Sequence, residues 1–254
     1  MPNKNVHYTF LVLSSSILLF ACKKEGNKIT DAQSANVIVV HAVPNTPAIP
    51  IQVYIDNGKL STAALAYLSK STPNGISGGP LYLPVLAGTR MLDIRPDADQ
   101  NSKLVSLTTN LYEDKNYTFF AYDTLNNNQT RLLKLTDDLT PPADASMCKV
   151  RFLHLAPAAP NLDITILRTS ATPADSITFT AQSYIGSSAF SETALSVFTL
   201  VKGGSYTVKL KLAGTQTVVK SFTGFDLANG KTYSLYAAGG VKGTALTVKS
   251  IRNF

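Results

Sequence analysis

Tryptophan is absent from this 254-residue sequence, cysteine occurs only twice and histidine only three times. Without Trp, a platform of aromatic rings for stacking sugars is disfavoured, although eleven Tyr remain. Charged residues make up 15% and hydrophobic residues 44%, a balance that argues against disorder over most of the length. The basic residues that give the net charge of +7 are spread along the chain, so no nucleic-acid-binding surface is indicated.

Helical periodicity is also missing from the sequence. No stretch of twelve residues repeats apolar side chains at helical spacing, which argues against folds built from βαβ units. Val, Thr, Tyr and Leu are common, and Gly and Pro are scattered throughout. This composition favours strands and turns, so the sequence predicts an all-β fold.

The long apolar run FLVLSSSILLFA, residues 10–21, lies at the N-terminus behind the positive charge of Lys4. It is too short for the roughly 20 residues that span a bilayer, and it ends in Leu19-Phe20-Ala21-Cys22. This ending resembles the lipobox of bacterial lipoproteins, which implies removal of residues 1–21 and acylation of Cys22. An ordinary secretory signal with an incidental Cys is the alternative.

The residues after Cys22 refine the expected location. Residues 22–35 are polar and aperiodic, which predicts a tether between the lipid and the folded part. No Asp follows Cys22, so nothing resembles an inner-membrane retention signal, and Lys23-Lys24-Glu25 partly resembles a surface-export signal. The sequence therefore predicts an outer-membrane lipoprotein of a Gram-negative bacterium, on either side of that membrane.

Two stretches of the chain match each other. The histidine and prolines of the first recur 113 positions later: His41, Pro44 and Pro47 match His154, Pro157 and Pro160. The later halves match at an offset of 116, as in Tyr117 and Tyr233, so the second copy carries a net three-residue insertion. The match predicts two copies of one folding unit, over residues 36–141 and 146–254.

Each copy contains about eight short segments rich in β-branched or aromatic residues and bounded by turn residues. The strands predicted in the first copy are Asn36–Val43, Ile51–Asp56, Ala64–Leu68, Leu81–Leu86, Thr89–Arg95, Lys103–Thr109, Asn116–Asp123 and Thr130–Thr136. Those predicted in the second copy are Lys149–Leu155, Leu162–Arg168, Ser176–Ala181, Leu195–Val201, Ser205–Leu212, Thr217–Phe222, Thr232–Ala238 and Ala245–Ile251.

A leucine precedes Tyr117 by six residues, and another precedes Tyr233 by the same distance. This pattern looks like the tyrosine corner of Greek-key sandwiches, in which the Tyr hydroxyl bonds to backbone a few residues upstream. Together with the strand spacing, it predicts two tandem immunoglobulin-like Greek-key β-sandwich domains.

The patterns V-x-V-V-H-A-x-P-x-x-P, A-G-T-x-x-x-x-I and L-x-x-x-K-x-Y-T of the first copy resemble the bacterial domain of unknown function 4397. The second copy is similar in V-R-F-L-H-L-A-P-x-x-P, so the resemblance extends over both copies as a tandem pair. It implies exported or lipid-anchored β-sandwich proteins. It implies no established activity and no catalytic residues.

His41 and His154 are the sharpest candidates for chemistry, since equivalent histidines can bind a metal or accept protons. Each copy offers only one His, however, and no Cys partner accompanies it. The favoured interpretation is structural: a ring nitrogen makes a hydrogen bond that closes the strand end against the Pro-x-x-Pro turn. The two His, the four prolines, Tyr117 and Tyr233 are therefore treated as a structural signature.

Three further segments carry weaker signals of a site. Gly75-Ile76-Ser77-Gly78-Gly79 fits G-x-S-x-G, but no helix is expected after it, so a hydrolase using Ser77 is disfavoured. Asp97-x-Asp99-x-Asn101 opens like a calcium loop, yet Ser102 occupies the position that needs Gly. Cys148 precedes an apolar strand and is expected to be a half-buried bystander.

The sequence thus predicts a non-enzymatic, lipid-anchored envelope protein for adhesion, ligand binding or a structural role, with no cofactor and no metal. A carbohydrate-binding component of a glycan-uptake system is the alternative. The expected partners are the membrane, through Cys22, and a glycan or protein ligand. Function is expected in the loops where the copies differ most, Leu68–Pro80 and Arg168–Leu195.

Overall fold

The computed structural model describes residues 33–71, 82–125, 129–170, 175–187, 189–241 and 243–254. The first half of the chain contains β1 (Ser34–His41), β2 (Ile51–Ile55), β3 (Gly58–Lys59), β4 (Leu83–Leu86), β5 (Gly88–Pro96), β6 (Val105–Leu111), β7 (Asn116–Tyr122) and β8 (Arg131–Asp137). The second half contains β9 (Met147–His154), β10 (Leu162–Arg168), β11 (Asp175–Gln182), α1 (Glu192–Ser196), β12 (Thr199–Lys202), β13 (Gly204–Leu212), β14 (Val218–Leu227), β15 (Thr232–Ala238) and β16 (Thr247–Arg252).

The strands form four sheets of four. The first sandwich pairs the sheet β4-β1-β7-β8 with β3-β2-β5-β6, and the second pairs β12-β9-β15-β16 with β11-β10-β13-β14. The two sandwiches therefore share one strand order, and the predicted all-β sandwich fold is confirmed. In the constant-type immunoglobulin order the first strand lies at a sheet edge, whereas β1 and β9 lie inside their sheets, parallel to β7 and β15.

Fifteen of the sixteen predicted strands coincide with strands of the structure, with ends displaced by a few residues. The prediction Ala64–Leu68 is wrong, because only Leu65 of that segment makes a bridge, to Ile51. The chain turns away at Leu68, whose φ of 66° lies in the left-handed region that ends extended structure. Helix α1 was not predicted, since five residues are too few to show a helical period. The predicted strand Leu195–Val201 is right only from Thr199 onward, because Leu195 and Ser196 belong to α1.

Each sandwich has its own apolar core, and a third core lies between the sandwiches. Val37 and Val39 of β1 face the core of the first sandwich, whereas Ile38 and Val40 face the core shared with the second. The sheets β4-β1-β7-β8 and β12-β9-β15-β16 therefore pack on each other and are called the inner sheets. The molecule is a stack of four layers, with the outer sheets β3-β2-β5-β6 and β11-β10-β13-β14 at either side.

The position of a strand in this stack explains whether polar and apolar residues alternate along it. Strands β7 and β15 are buried along both faces, or nearly so. Their sequences NYTFFAY and TYSLYAA alternate polar and apolar residues over the first four positions only and end in three consecutive apolar residues. Strand β13 belongs to an outer sheet, and Tyr206, Val208 and Leu210 face the core while Lys209 and Lys211 face away from it. Burial on two faces requires apolar or hydrogen-bonded side chains at every position.

The two tyrosines make equivalent contacts. The hydroxyl of Tyr117 accepts the backbone N–H of Tyr112 at 3.0 Å, and that of Tyr233 accepts the N–H of Ala228 at 2.9 Å. Both donors lie five residues upstream, which is the geometry expected of a tyrosine corner. The rings themselves belong to the cores of their sandwiches, so each corner ties a loop to the core.

The strand directions give the molecule two distinct ends. Strands β1 and β7 are parallel, as are β9 and β15. The two pairs also run the same way: Tyr236 near the end of β15 packs 5.5 Å from Phe120 near the end of β7, and Asn253 bonds both to the start of β15 and to Thr118 near the start of β7. The end where these strands start, at Ser34, is called the tether end, and the end where they finish is called the loop end.

No helix within the described residues is long and apolar enough to cross a membrane.

Candidate functional site

His41 ends β1 at the loop end and is almost fully buried. Its Nδ1 accepts the backbone N–H of Val43 at 3.3 Å, so the proton must lie on Nε2, which donates to the carbonyl of Ile49 at 2.9 Å. The ring also packs edge-on against Tyr67, with centroids 5.8 Å apart. Burial lowers the pKa of His41 to about 4, against the opposing effect of the bond to Ile49.

His154 repeats this arrangement in the second sandwich. Its Nδ1 accepts the backbone N–H of Ala156 at 3.3 Å, and its Nε2 donates to the carbonyl of Pro160 at 3.1 Å. The ring packs edge-on against Tyr184 at 6.2 Å, and burial lowers its pKa as well. Each histidine thus closes the turn that follows its strand.

Both ring nitrogens of each histidine are engaged by backbone in a neutral ring, which leaves no lone pair for a metal ion or a substrate proton. Pro44 and Pro47 lie in the turn that His41 closes, and the Thr46–Pro47 peptide bond is cis. Within the described residues, no group of three or more His, Cys, Asp or Glu is placed to hold a metal ion. The repeated stretch therefore shapes the loops at this end of each sandwich.

The loops of the two sandwiches contact each other at the loop end. Arg131, which starts β8 after the loop following β7, donates from Nη1 to the carbonyl of Gly186 at 3.1 Å. Beside this contact, the rings of Tyr122 and Tyr184 pack at 6.4 Å. The first sandwich therefore meets the loop after β11, which belongs to one of the segments expected to carry function. The loops of the two sandwiches are thus in contact at this end.

A buried polar network joins the inner sheets on the tether side. Arg151 Nη2 lies 2.6 Å from Asp137 Oδ1, and both side chains are at most 2% exposed. The pair is within salt-bridge distance, although its angles are not those of a hydrogen bond. The other oxygen of Asp137 accepts hydroxyl protons from Thr118 at 2.5 Å and from Tyr82 at 2.8 Å.

The second sandwich completes this network. Arg151 Nε donates to Ser234 Oγ at 2.7 Å, and Ser234 donates to Asn253 Oδ1 at 2.9 Å. The amide of Asn253 donates back across the interface to Thr118 at 2.9 Å and to Tyr82 at 3.3 Å. This ring of six side chains is called the interdomain network: Tyr82, Thr118 and Asp137 from the first sandwich, and Arg151, Ser234 and Asn253 from the second.

The interdomain network fixes how the inner sheets are aligned. Asp137 pairs with Arg151 across the interface, and Asn253 bonds across it to Thr118 and Tyr82. Burial raises the pKa of Asp137, while Arg151 and the two hydroxyl donors act in the opposite direction. Nη1 of Arg151 has no hydrogen-bonding partner among the described residues, and the guanidinium packs 4.5 Å above the ring of Phe198. A shifted alignment would leave these groups buried without partners.

A groove of about 700 Å³ lies near the tether end, between the end of β8, the segment after it and α1. Helix α1 contributes Ser196, whose hydroxyl accepts the backbone N–H of Thr136 at 3.1 Å and so covers part of the free edge of β8. Lys149 and Asp138 on the groove wall form an ion pair at 2.7 Å. The groove lies away from the histidine-bearing loops and contains no cluster suited to catalysis.

The remaining predicted residues are not brought together. Cys22 and Ser77 lie outside the described residues. Asp97 accepts the amide N–H of Gln52 in β2 at 2.8 Å, and Asp99 accepts the hydroxyl of Ser102 in its own turn, so each carboxylate has a structural partner. Cys148 is fully buried rather than half-buried, and burial raises the pKa of its thiol to about 11.

The interdomain network and the interface that contains it were not predicted from the sequence. One signal was present: β1 and β7 each contain four consecutive apolar residues, Val37–Val40 and Phe119–Tyr122, which is unusual for a sandwich strand with one face in water. The network residues themselves gave no local signal, because Tyr82 and Asn253 are 171 positions apart.

Comparison with known proteins adds family information. A family described as a domain of unknown function, DUF4397, matches residues 35–165. A candidate cell adhesion protein of known structure from Bacteroides fragilis is 14% identical, with a TM-score of 0.23 over 93% of this chain and 92% of that chain. A leucine-rich repeat protein from Bacteroides thetaiotaomicron is 12% identical, with a TM-score of 0.18 over 80% of this chain and 25% of that chain. No curated protein matches.

At these TM-scores, neither structure supports a conclusion about the present fold or its function. The family match is different, since it spans the whole first sandwich and enters the second through β9 and half of β10. The second sandwich beyond that point repeats the strand order of the first. Because the match covers more than half of the sequence, the chain belongs to the DUF4397 family.

Proposed function

We propose that this chain is a non-enzymatic, lipid-anchored envelope protein of a Gram-negative bacterium that uses its loop end for adhesion or ligand capture. One observation carries this proposal: the chain enters the fold at Ser34, and the loops of both sandwiches meet at the opposite end. A protein held through Cys22 and the tether can thereby present a paired set of loops to its surroundings.

The chemistry of the loop end supports binding rather than catalysis. Both histidines are neutral and engaged by backbone, and the carboxylate of Asp123 forms an ion pair with Arg131 at 3.3 Å. Catalysis needs a nucleophile or base with free access to a substrate. The titratable groups described here instead hold the loops in place, which suits a preformed binding surface.

The anchor is tested by replacing Cys22 with Ala in a cell that processes lipoproteins. We expect the original chain to incorporate labelled fatty acid and to fractionate with the outer membrane. Cys22→Ala should lose the label completely and appear in a soluble fraction, because one acylated residue supplies all of the proposed attachment. Cys148→Ala is the matched control and should keep both properties, since its thiol is buried. Labelling that persists in Cys22→Ala would refute the anchor.

The charge of the second sandwich favours an acidic glycan as the ligand. Residues 146–254 hold eleven Lys and Arg against four Asp and Glu, whereas residues 36–141 hold eight against nine. Ion pairs within the described residues engage only Lys149, Arg151 and Arg168 of the second sandwich. Its described cations without an acidic partner in salt-bridge distance are Lys202, Lys209, Lys211, Lys220, Lys231, Lys249 and Arg252.

Lys209 and Lys211 provide the test of this ligand class. Both face away from the core in the second half of β13, which runs toward the loop end, so we expect the chain from residue 23 onward to bind immobilised heparin and to elute with salt. The Lys209→Glu and Lys211→Glu double variant should bind several-fold more weakly, and Lys59→Glu in the first sandwich should bind as before. Equal retention on a neutral glucan, or no loss in the double variant, would contradict an acidic ligand.

A further inference from the structure

Large apolar side chains are exposed at the tether end. Tyr112 in the turn between β6 and β7 is 65% exposed, Leu86 at the end of β4 is 44% exposed, and the C-terminal Phe254 is 39% exposed. Each lies at or just after the end of a strand that finishes here, since β4 and β6 run opposite to β1 and β5, and β16 runs opposite to β15. Both sandwiches thus contribute apolar groups to one end of the molecule.

The fold itself does not require these side chains. The position of Tyr112 in the second sandwich is held by Ala228, and both residues donate their backbone N–H to a tyrosine corner equally well. The position of Leu86 in the second sandwich is held by Lys202, at the end of the equivalent strand β12. An exposed aromatic and an exposed leucine at these positions therefore call for an explanation outside the fold.

The tether brings this end close to the proposed anchor. Gln33, Leu86 and Tyr112 line one groove of about 680 Å³, so the tether enters beside the apolar side chains. Eleven residue steps separate Cys22 from Gln33. Eleven residues of polypeptide cannot span more than about 40 Å, at about 3.3–3.6 Å per residue. The tether end is then the part of the fold nearest to the lipid.

We propose that the tether end rests on the bilayer, with Tyr112, Leu86 and Phe254 in the headgroup region; this rests on the lipid anchor of the proposed function. Tyrosine and other amphipathic side chains favour that region, where an apolar body meets a wet polar tip. Lys231, whose Nζ lies 4.7 Å above the Phe254 ring, can place its charge among the phosphates. Glu113 and Asp114 next to Tyr112 limit the contact to shallow insertion.

This contact would set the orientation of the whole molecule. The four-layer body would stand on its tether end, and the loop end would point away from the membrane. Several apolar contacts across two sandwiches would restrain the body at more points than a single lipid anchor does. The proposed partner of this surface is thus the lipid in which the chain itself is anchored.

The absence of Trp from the sequence makes single-Trp variants clean reporters of this contact. The mature chain from Cys22 would be coupled to a maleimide lipid in phosphatidylcholine vesicles, where buried Cys148 does not compete. Tyr112→Trp and Phe254→Trp should show blue-shifted emission and quenching by brominated lipid. Val218→Trp is the matched control: Val218 is 47% exposed at the loop end, and its Trp should be neither shifted nor quenched.

The proposal would be overturned if all three variants, the control included, gave solvent-like emission without quenching. It would also be overturned if only the Val218→Trp variant were quenched. Circular dichroism of each variant would verify that the fold is intact before coupling. Because the lipid is attached chemically, this result does not depend on acylation of Cys22 in cells. Failure of the anchor and failure of the lipid contact are therefore separate outcomes.

Discussion

Replacing Asp137 by Asn will lower the free energy of unfolding by about 3–5 kcal/mol, the cost expected when one partner of a buried ion pair is lost. Arg151 would stay between the inner sheets without its counter-charge, at 2% exposure. The hydroxyls of Thr118 and Tyr82 would lose the carboxylate that accepts both of their protons. Urea unfolding of the two proteins at neutral pH measures the difference.

Two variants show whether burial causes this loss. Asp175 pairs with Arg168 at 3.6 Å and is 47% exposed, so Asp175→Asn should cost less than about 1 kcal/mol. Replacing Asp137 by Leu and Arg151 by Met together should restore much of the stability that Asp137→Asn loses, because no charge then remains unpaired. If Asp137→Asn were as mild as Asp175→Asn, the buried network would not hold the sandwiches together.

His41→Ala will lower the free energy of unfolding by about 2–4 kcal/mol, the range for truncating a large buried side chain and leaving buried polar groups unpaired. The variant loses the ring contact with Tyr67 and leaves the N–H of Val43 and the carbonyl of Ile49 without partners. Denaturant unfolding at neutral pH measures the loss. His154→Ala should behave alike, since it makes the same pair of contacts.

The pH dependence of stability distinguishes a buried neutral histidine at position 41 from a side chain that only fills space. Burial holds the pKa of His41 at about 4 in the folded protein, below its ordinary 6.5, so the unfolded chain binds a proton first. The contribution of His41 is therefore present above about pH 6.5 and is lost as the pH falls toward 4, by on the order of 3 kcal/mol. His41→Ala should lack this part of the pH dependence, and a variant that keeps all of it would contradict the assignment.

The sequence was sufficient for the architecture of each sandwich because the determining patterns are local. Turn residues such as Asp56 and Asn57, both at positive φ, separate segments with strand composition. Because the second copy repeats the pattern of the first, the same strands are predicted in both sandwiches. The misplaced strand at residues 64–68 shows the limit: an apolar segment without β-branched residues can lie buried in an irregular path.

The hydrogen bonds of the histidines can be predicted from the sequence, whereas the contacts across the interface cannot. The bond from His41 to Ile49 spans eight positions and follows from the turn between two prolines. The contact of Asn253 with Thr118 spans 135 positions and depends on how two finished sandwiches align. The unbroken apolar residues of β1 and β7 indicate a second buried face, but they do not identify the surface that covers it.

The association of the two sandwiches through their inner sheets is tested most directly by cutting the segment that joins them. A protease site inserted at the exposed Ala143 would allow cleavage after folding. The four-layer body predicts that the two halves then co-elute in size-exclusion chromatography as one species of the uncut mass, and that Asp137→Asn weakens this association. Halves of the original sequence that separate under native conditions, each still folded, would contradict the account.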